Sequence, residues 1–571
     1  MFQSLPTCLQ PVKASPDYYR IVALPLRKWG ETLEDTAFYG RLSEALRLAG
    51  SEAVLRPVQA AALEELHDMR GLFGSIRVGG GKTLISLLAP VVIGAERPLL
   101  IVPAALRDKT KRDTRKYAKD WQVARNLSIL SYEKLSIVSG LEVLDQLRPD
   151  LIICDECHCL KDTRRPRARR LRRYLQKHPE TVVLAMSGSI VNRSLMDYWH
   201  ILRWCLPRTA PLPYFLPAVL EWREALDSDV EPRRNPGVLL DLHPDAEGVS
   251  LTERARDAYA RRLGETPGVV MSKDSGPGMS LTLRAVTPPI KREVLEPAIR
   301  KLRENWEVPD GEPFETAIDL WRHVREVVCG FWYRWKVQPP REWCEARLAW
   351  SRFCRYSIFQ LRRGLDSPAQ VAATIMAGML DDGGAWAQWS AIKDTFAPET
   401  EAVWFDDSML NYAAGWLETY KGLCWVEHRE FGDRLTKLSG VPYFSNYGKD
   451  VYGRTIEQYS GPAILSVASN KQGRNLQAWH RSLLISLEPN GRKYEQVLGR
   501  THRDDQKADE VVYEIPIISL EQWKEVCKAK KDAEHIQSTT RQPQKLCYAT
   551  LDIPDEDEVE RRARTDYLWQ S

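Results

Sequence analysis

Short apolar runs recur at regular intervals in two parts of the chain. Between residues 50 and 207 the runs are SIRV (75–78), PLLIVP (98–103), LSILS (127–131), DLIICDE (150–156) and VVLAMSGS (182–189). Turn-forming residues bound each run, and a longer polar stretch with helical spacing follows it. This pattern is typical of strands that are buried on both faces of a parallel sheet.

The same rhythm returns between residues 416 and 518. The runs there are GLCWVEH (422–428), VPYF (441–444), AILSVAS (463–469), RSLLISL (481–487) and EVVYEIPI (510–517). Two such blocks predict an α/β protein with two lobes, each built on its own parallel sheet.

The pattern changes between residues 208 and 415. This region is rich in tryptophan, and its segments 315–335 and 342–363 have apolar residues at helical spacing. We therefore expect a mostly helical, Trp-rich insertion, whose tryptophans form a core or, as the alternative, stack on unpaired bases. The predicted organisation is an N-terminal segment (1–50), a first lobe (51–207), the insertion (208–415), a second lobe (416–530) and a peripheral C-terminal tail (531–571).

Composition narrows the class of protein. Hydrophobic residues make up 43% and charged residues 28% of the 571 positions, which excludes disordered and coiled-coil classes. The net charge is only +4, so a site for a polyanion must be local. The longest apolar stretch (84–95) is too short to cross a bilayer and is interrupted by Pro90, and residues 1–20 lack the apolar core of a secretory signal. We expect a cytoplasmic protein without a membrane partner.

The eleven cysteines are dispersed, except in CDECHC (154–159). An odd number without regular spacing does not suit a disulfide framework and fits a reducing compartment. Cys154, Cys157, His158 and Cys159 would be possible zinc ligands, but a second pair at a suitable distance is missing from the sequence. We expect these cysteines to pack in a core at the end of a strand.

The segment VGGGKT (78–83) has the residues of a phosphate-binding loop. It follows a predicted strand and opens an apolar-periodic helix, so backbone N–H groups would meet an anion at the positive end of that helix. Lys82 would neutralise the β- and γ-phosphates, and the Thr83 hydroxyl would bind Mg²⁺. The longer GxxxxGK[ST] pattern is incomplete, so a chance glycine-rich turn is the alternative. The residues that let the backbone approach a phosphate closely are Gly79, Gly80 and Gly81.

A second predicted strand ends in two acids, in LIICDECH (151–158). A nucleoside triphosphatase needs one carboxylate at such a strand end to hold Mg²⁺ and another to orient the attacking water. Asp155 would take the first role and Glu156 the second, while His158 would couple the site to its neighbours. Together with the loop at 78–83, these residues predict an ATP hydrolase with ATP and Mg²⁺ as cofactors.

These motifs resemble, in their order, the superfamily-2 helicases with a DEAH-type box, and in particular the Swi/Snf-like branch. DECH stands for the box, and LRPVQ (55–59) resembles the glutamine motif that contacts adenine, which implies this role for Gln59. AMSGSIVN (185–192) is similar to the next motif, although both threonines are serine and Ile190 replaces proline. The coupling residues implied there are Ser187, Gly188 and Ser189.

The second block resembles the other half of such a helicase. SVASNKQGRNLQAW (466–479) and YEQVLGRTHRDDQ (494–506) are similar to its last two motifs. The resemblance implies catalytic roles for Arg500 and Arg503, with Arg503 as the arginine finger that offsets transition-state charge. The compact arrangement with a Trp-rich insertion resembles helicases carried by bacteriophages. Further coupling residues implied by the resemblance are Gly473, Asn475 and Gln496.

The resemblance implies two RecA-like lobes that bind Mg-ATP between them and move along nucleic acid, duplex DNA above all. An ATPase switch acting on a protein partner, an RNA helicase, and a nucleic-acid-binding module with a degenerate ATPase site are the alternatives. A candidate track is the stretch 161–178, which has seven arginines between positions 164 and 173. Guanidinium groups match phosphates, although a solvated helix face with ordinary ion pairs is the alternative. The track residues are Arg169, Arg170, Arg172 and Arg173.

Overall fold

The chain forms two compact units, each assembled from segments that are distant in sequence. The first unit combines Met1–Pro277 with Asn490–Gly499 and Ala529–Tyr548, and the second combines Gly278–Pro489 with Arg500–Lys528 and Ala549–Ser571. The computed structural model describes residues 10–27, 36–76, 80–137, 140, 142–188, 194–227, 230, 234–271, 279–311, 314, 317–361, 365, 367–397, 399–471, 473–503 and 506–570. Within these ranges no helix has the length and apolar character that a bilayer crossing requires.

The first unit is built on a six-stranded sheet in which every pairing is parallel, in the order β3-β2-β4-β5-β1-β6. The strands are β1 (Leu72–Ser75), β2 (Pro98–Val102), β3 (Ser128–Ser131), β4 (Leu151–Asp155), β5 (Val182–Ser187) and β6 (Val269–Met271). The helices are α1 (Pro16–Val22), α2 (Thr36–Leu46), α3 (Pro57–Met69), α4 (Lys82–Ile93), α5 (Arg107–Tyr117), α6 (Val143–Leu147), α7 (Pro166–Lys177), α8 (Trp199–Cys205), α9 (Leu216–Leu226) and α10 (Leu251–Gly264).

Helices cover both faces of this sheet, which explains why its strands are apolar without alternation. Along β2, Leu99 and Ile101 belong to one buried cluster, while Leu100 and Val102 belong to another. Because successive side chains of a strand point to opposite faces, each strand needs apolar residues at every position. The continuous runs in the sequence follow from this requirement.

The second unit is built on a seven-stranded sheet in the order β11-β12-β10-β13-β14-β7-β15, again with parallel pairings. Its strands are β7 (Ser280–Val286), β10 (Leu423–Val426), β11 (Tyr443–Phe444), β12 (Ala463–Ser466), β13 (Arg481–Leu484), β14 (Glu510–Pro516) and β15 (Thr550–Asp552), and an antiparallel pair is formed by β8 (Phe331–Trp335) and β9 (Thr400–Trp404). The predicted α/β class with two parallel-sheet, RecA-like lobes is confirmed.

The remaining helices come from the second unit and from the segments that the first unit takes from the C-terminal part of the chain. They are α11 (Arg292–Arg300), α12 (Ala317–Val328), α13 (Arg341–Phe359), α14 (Pro368–Met376), α15 (Ala385–Ile392), α16 (Ser408–Tyr420), α17 (Arg429–Ser439), α18 (Val467–Asn470), α19 (Gly491–Thr501), α20 (Leu520–Thr540), α21 (Lys545–Tyr548) and α22 (Glu556–Ala563). Helices α19 and α20 contribute residues to both units.

Three elements differ from the expectations. Strand β1 ends at Ser75, where the predicted strand 75–78 begins. The region 208–415 is mostly helical, but it also supplies β6 to the first sheet and β7 to the second. The tail is not peripheral, because β15 pairs with β7 and residues 529–548 belong to the first unit.

The tryptophans of the insertion serve mainly as packing residues. Trp222, Trp343 and Trp350 are buried. Trp350 packs with Cys354 and with residues of α14 and α15 in a small separate cluster. Packing therefore accounts for these positions without base stacking.

Candidate functional site

The candidate site of the first unit lies where three neighbouring strands end. β4, β5 and β1 are adjacent and parallel, so the segments that follow them lie along one edge of the sheet. Asp155 pairs with Met186 and Ser75 pairs with Ser187, which brings the three strand ends into register. This edge is the usual ligand-binding side of an open parallel sheet.

The glycine-rich loop enters α4 through Gly81. Gly81 has φ +81°, in the left-handed region that favours glycine, and precedes the first helical residue, Lys82. A Cβ atom added to Gly81 would lie 2.0 Å from Nε2 of Gln59, so a larger residue would collide there. Gly80 is buried beside it. The predicted Gly79 lies outside the described residues.

Gln59 holds the loop from the first turn of α3. Its side chain is buried; its Oε1 accepts a hydrogen bond from the backbone N–H of Arg56 (2.8 Å), and its Nε2 donates to the carbonyl of Gly81 (3.4 Å). The sequence motif and the phosphate-binding loop are thus in direct contact.

Lys82 and Thr83 occupy the first turn of α4. The Lys82 side chain is buried, and its Nζ donates to the carbonyl of Ile76 (3.0 Å), just before the loop. Thr83 is half-buried. The first N–H groups of a helix lack partners within it, so this turn offers donors to an anion.

The negative charge of Asp155 is only partly offset by nearby positive charge. Burial, followed by the negative charge of Glu156, raises the pKa of Asp155 to about 6, although the charge of Lys82 opposes this rise. The hydroxyl of Tyr132, which was not among the predicted site residues, donates to the backbone carbonyl of Asp155 (2.9 Å). A divalent cation beside Asp155 would relieve this imbalance.

Glu156, Ser187 and His158 form one buried hydrogen-bond network. The Ser187 hydroxyl donates to Oε2 of Glu156 (3.1 Å), and Nδ1 of His158 lies 2.9 Å from Oγ of Ser187 and 3.2 Å from the same carboxylate oxygen. The Ser187 hydroxyl has only one proton, which it donates to Glu156. The Ser187 oxygen must therefore accept the hydrogen bond from His158, so the proton of His158 is on Nδ1. Glu156 itself has φ 55°, a left-handed conformation that is uncommon for a non-glycine residue and marks a functional position.

A residue that the sequence motifs did not identify, Arg492, also acts on this network. Burial and then the charge of Arg492 lower the pKa of His158 to about 4, so His158 is neutral at neutral pH. The Nε and Nη1 atoms of Arg492 are buried without a hydrogen-bond partner among the described residues. Arg492 stands four residues before Gln496, at a position that the motif at 494–506 does not include.

Removing the Ser187 hydroxyl should lower stability through this network. Ser187→Ala should reduce the free energy of unfolding by about 1.5–3 kcal/mol, the range for a hydrogen bond to a charged group. Ser86→Ala is the matched control, because Ser86 is equally buried but its hydroxyl has no hydrogen-bond partner among the described residues. Equal losses in the two variants, measured by denaturant unfolding, would contradict the network.

Three further residues were predicted for this site, and the structure describes two of them, Gly188 and Gln496. Gly188 is buried directly after Ser187, and Gln496 is buried in α19 among residues of the first unit. Ser189 lies outside the described residues. From the C-terminal region, Gln542 accepts a hydrogen bond from the Ser75 hydroxyl (2.8 Å) at the end of β1, a contact that local patterns could not predict.

The second unit brings its two predicted motifs together. Nη1 of Arg503 donates to Oδ1 of Asn475 (2.6 Å), and Nη1 of Arg500 donates to the carbonyl of Arg474 (3.3 Å). Arg500 is buried, whereas Arg503 is half-buried. Gly473 has φ 68° at the start of this turn. The structure therefore assigns Arg500 to the interior and leaves Arg503 the more accessible of the two arginines.

The arginine run forms α7, and its arginines are not equivalent. Arg172 is exposed, and Arg169 and Arg173 are half-buried. Arg170 is buried with Leu171 and Tyr174, and its Nη1 donates to the carbonyls of Leu135 (3.0 Å) and Ile137 (2.6 Å). The predicted track is corrected at Arg170, which stabilises the fold and does not face solvent.

The cysteines of CDECHC pack as expected. Cys154 and Cys157 are fully buried in the core cluster of the first unit, and burial raises the pKa of the Cys154 thiol to about 12. Across the described ranges, no group of three or more His, Cys, Asp or Glu side chains is arranged to hold a metal ion.

Comparison with known proteins identifies one domain. Residues 56–197 match the family model of the DEAD/DEAH box helicases. The matched segment runs from the residue before α3 to the second residue before α8 and contains Gln59, Lys82, Asp155, Glu156 and Ser187. No curated protein shows significant similarity to the chain. Residues 56–197 are thus a DEAD/DEAH box helicase domain, which implies ATP-dependent helicase activity on nucleic acid.

Proposed function

We propose that the chain is a Swi/Snf-like motor of the compact phage type, which hydrolyses Mg-ATP to move along duplex DNA. The observation that carries the proposal is the meeting of Lys82, Asp155 and Glu156 at one edge of the first sheet. A basic side chain, a half-buried carboxylate with a raised pKa and a second carboxylate held by a hydroxyl are the groups that phosphoryl transfer requires.

The residues of the first unit fit Mg-ATP. Gly80, Gly81 and the first turn of α4 would bind the phosphates, and Lys82 would exchange its bond to the Ile76 carbonyl for a phosphate oxygen. Thr83 and Asp155 would hold Mg²⁺, which neutralises charge on the β- and γ-phosphates when bound. Few protein ligands are needed, because Mg²⁺ takes its other ligands from phosphates and water.

Glu156 would orient and activate the attacking water. Ser187 and His158 hold one of its carboxylate oxygens, so the side chain does not need to reorganise during the reaction. In this proposal the same three residues couple hydrolysis to movement, because Ser187 follows the neighbouring strand and any shift of that segment would disturb Glu156. Arg503 would supply the charge that the first unit lacks at the transition state.

Arg172, which is exposed, and Arg173, which is half-buried, would contact the DNA backbone from α7. Changing Arg172 and Arg173 to glutamine should weaken DNA binding uniformly across sequences and lower the slope of log K against log salt by roughly one for each lost phosphate contact. The control is the double change of Lys116 and Lys119 to glutamine, which removes the same charge from exposed positions on or near α5. If the slope of log K against log salt were equal in the two double variants, the arginines of α7 would form a solvated helix face with ordinary ion pairs and would not contact DNA.

The choice of polymer decides between the proposed motor and its alternatives. The rate of ATP hydrolysis should be measured without polymer and with single-stranded DNA, duplex DNA or RNA. Stimulation by duplex DNA is the expected result. Stimulation by RNA alone would favour an RNA helicase, and a rate that is indifferent to every polymer would favour a switch acting on a protein partner.

A further inference from the structure

The first unit contains an open cavity of about 750 Å³, and Arg172 is the one lining residue to which the proposed function gives a role. It lies between α7, α8 and the segment that follows the DECH box. Its volume is within the roughly 300–1,000 Å³ that small-molecule sites occupy. Its wall has two kinds of side chain that can contact a ligand, cationic groups and tryptophans.

Positive charge dominates the wall. Four cationic side chains line the cavity against two acidic ones, Asp162 and Asp197. Asp162 orients Arg164 through a hydrogen bond of 2.9 Å, while Nη1 of Arg203 is fixed on the carbonyl of Tyr214 (3.0 Å). Arg172 is exposed on α7. The cavity therefore suits an anion, and guanidinium groups favour phosphate. The four cations are Lys161, Arg164, Arg172 and Arg203.

The aromatic side of the wall is rigid. Nε1 of Trp199 donates to the carbonyl of Pro213 (2.7 Å), and the guanidinium of Arg203 lies 5.4 Å from the centre of the Trp199 ring. Trp204 meets the ring of His200 edge-on, with the ring centres 5.0 Å apart. Both tryptophans are half-buried, so part of each ring faces the cavity.

His200 adds a polar atom without a partner. Its Nε2 donates to the carbonyl of Leu160 (2.9 Å), and burial, opposed by that bond and supported by the charge of Arg172, lowers the pKa of His200 to about 4. The ring is therefore neutral, and Nδ1 keeps its lone pair as an acceptor. Nδ1 has no hydrogen-bond partner among the described residues, although the side chain is 6% exposed.

We propose that this cavity binds an unpaired nucleotide, with the base against Trp199 and Trp204 and the phosphate on the arginines. Base stacking on aromatic rings and phosphate pairing with Arg are the two contacts by which proteins hold unpaired nucleotides. The nucleotide comes either from a single strand or from a free nucleoside monophosphate, which share this chemistry. The single-strand source rests on the proposed function, because a motor on duplex DNA meets unpaired nucleotides where strands separate.

A photochemical crosslink tests the location. A single-stranded oligodeoxynucleotide containing 4-thiothymidine should be irradiated with the full-length chain and the product digested with trypsin. Cleavage after Arg193, Arg203 and Arg208 separates the two tryptophans into the peptides 194–203 and 204–208. We expect the crosslink in one or both peptides. Crosslinks confined to other parts of the chain would overturn the proposal.

Matched variants test the contacts. Arg172→Gln and Trp204→Leu should each weaken single-strand binding by roughly fivefold or more, the scale of one lost stacking contact or charged contact. Lys177→Gln, which removes a charge from the same helix outside the cavity, should change affinity by less than about twofold. Trp204→Phe should restore most of the binding lost in Trp204→Leu. Equal effects of Arg172→Gln and Lys177→Gln would show general electrostatics and contradict the cavity site.

Binding of cytidine monophosphate distinguishes a site for a free nucleotide from a site for a single strand. It also tests the cavity separately from the proposed function. It lacks the β- and γ-phosphates for which the loop at 78–83 is suited, so its binding should depend on Trp204. Displacement of the crosslink at millimolar cytidine monophosphate would indicate a free-nucleotide site. If duplex DNA stimulates hydrolysis but the cavity variants bind single strands normally, only the cavity proposal fails. If the chain binds no polynucleotide, the proposed function fails, and the cavity proposal fails with it unless cytidine monophosphate binds in a Trp204-dependent manner.

Discussion

Glu156→Gln should stop ATP hydrolysis while leaving Mg-ATP bound. Glutamine has the size of glutamate, so its amide oxygen can still accept the hydrogen bond from Ser187. A neutral amide cannot take a proton from the attacking water, and general-base catalysis contributes about 10²–10⁴ to the rate. Lys82, Thr83 and Asp155 are unchanged, so the dissociation constant of Mg-ATP should stay within about threefold. Single-turnover hydrolysis and equilibrium binding measure the two quantities separately.

The matched control is Glu180→Gln. Glu180 follows α7 in the same unit, is 71% exposed at its side chain and lies 3.3 Å from Nδ1 of His178. The chemical change is the same, and the rate should match that of the unaltered chain. Parental turnover in Glu156→Gln would show that another group activates the water, whereas lost binding would show that Glu156 belongs to the Mg-ATP site. Lys82→Ala should differ from both, losing binding and hydrolysis together.

The parallel strands could be predicted from the sequence because burial on both faces requires continuous apolar runs. The runs at 98–103, 150–156 and 182–189 contain β2, β4 and β5. Short or mixed strands gave no such signal. β15 has three residues and only one of them, Leu551, is apolar, so its pairing with β7 could not be inferred from local pattern.

The contacts between segments that are distant in sequence could not be predicted from the local pattern of apolar residues. Residues 490–499 and 529–548 belong to the first unit although more than 200 residues separate them from its sheet. No local periodicity encodes which distant strand or helix an element contacts. One practical consequence is that a fragment ending at residue 207 would lack β6 as well as Gln542, the partner of Ser75. Variants of the full chain are therefore the proper test of the site.

The candidate site was predicted residue by residue where a motif specifies the chemistry. Lys82, Asp155 and Glu156 lie at the same end of the sheet because their motifs follow the parallel strands β1 and β4, which are separated only by β5. The motifs do not specify the residues that act on these side chains or on their backbone. Tyr132 and Arg492 are such residues, and neither was among the predicted site residues. The spacing of apolar residues in α7 indicates that Arg170 is buried, although the high arginine content of the segment suggests an exposed helix. Arg170 stands one residue before Leu171 and four before Tyr174, on the buried stripe of α7, and a helical projection of 166–177 would have separated it from Arg172.

Arg503→Ala should reduce turnover far more than ATP affinity. An arginine finger acts on charge that develops as the terminal phosphoryl group is transferred, and such arginines contribute about 10³–10⁵ to kcat in related phosphoryl-transfer enzymes. The bond from Nη1 of Arg503 to Asn475 orients the guanidinium without burying it completely. Arg503→Lys should recover only part of the rate, because an ammonium lacks the planar, forked donors of a guanidinium.

The control for Arg503 is Arg429→Ala in the same unit. Arg429 is 81% exposed and pairs only with Asp433 one helical turn away, so its loss should leave kcat and the dissociation constant of ATP unchanged. Arg500→Ala is a poor substitute, because Arg500 is buried and its removal would disturb the turn at Arg474. If Arg503→Ala weakened ATP binding by the same factor as turnover, Arg503 would be a ground-state ligand of the nucleotide. A fall in kcat alone would place its action at the transition state, as expected for an arginine finger.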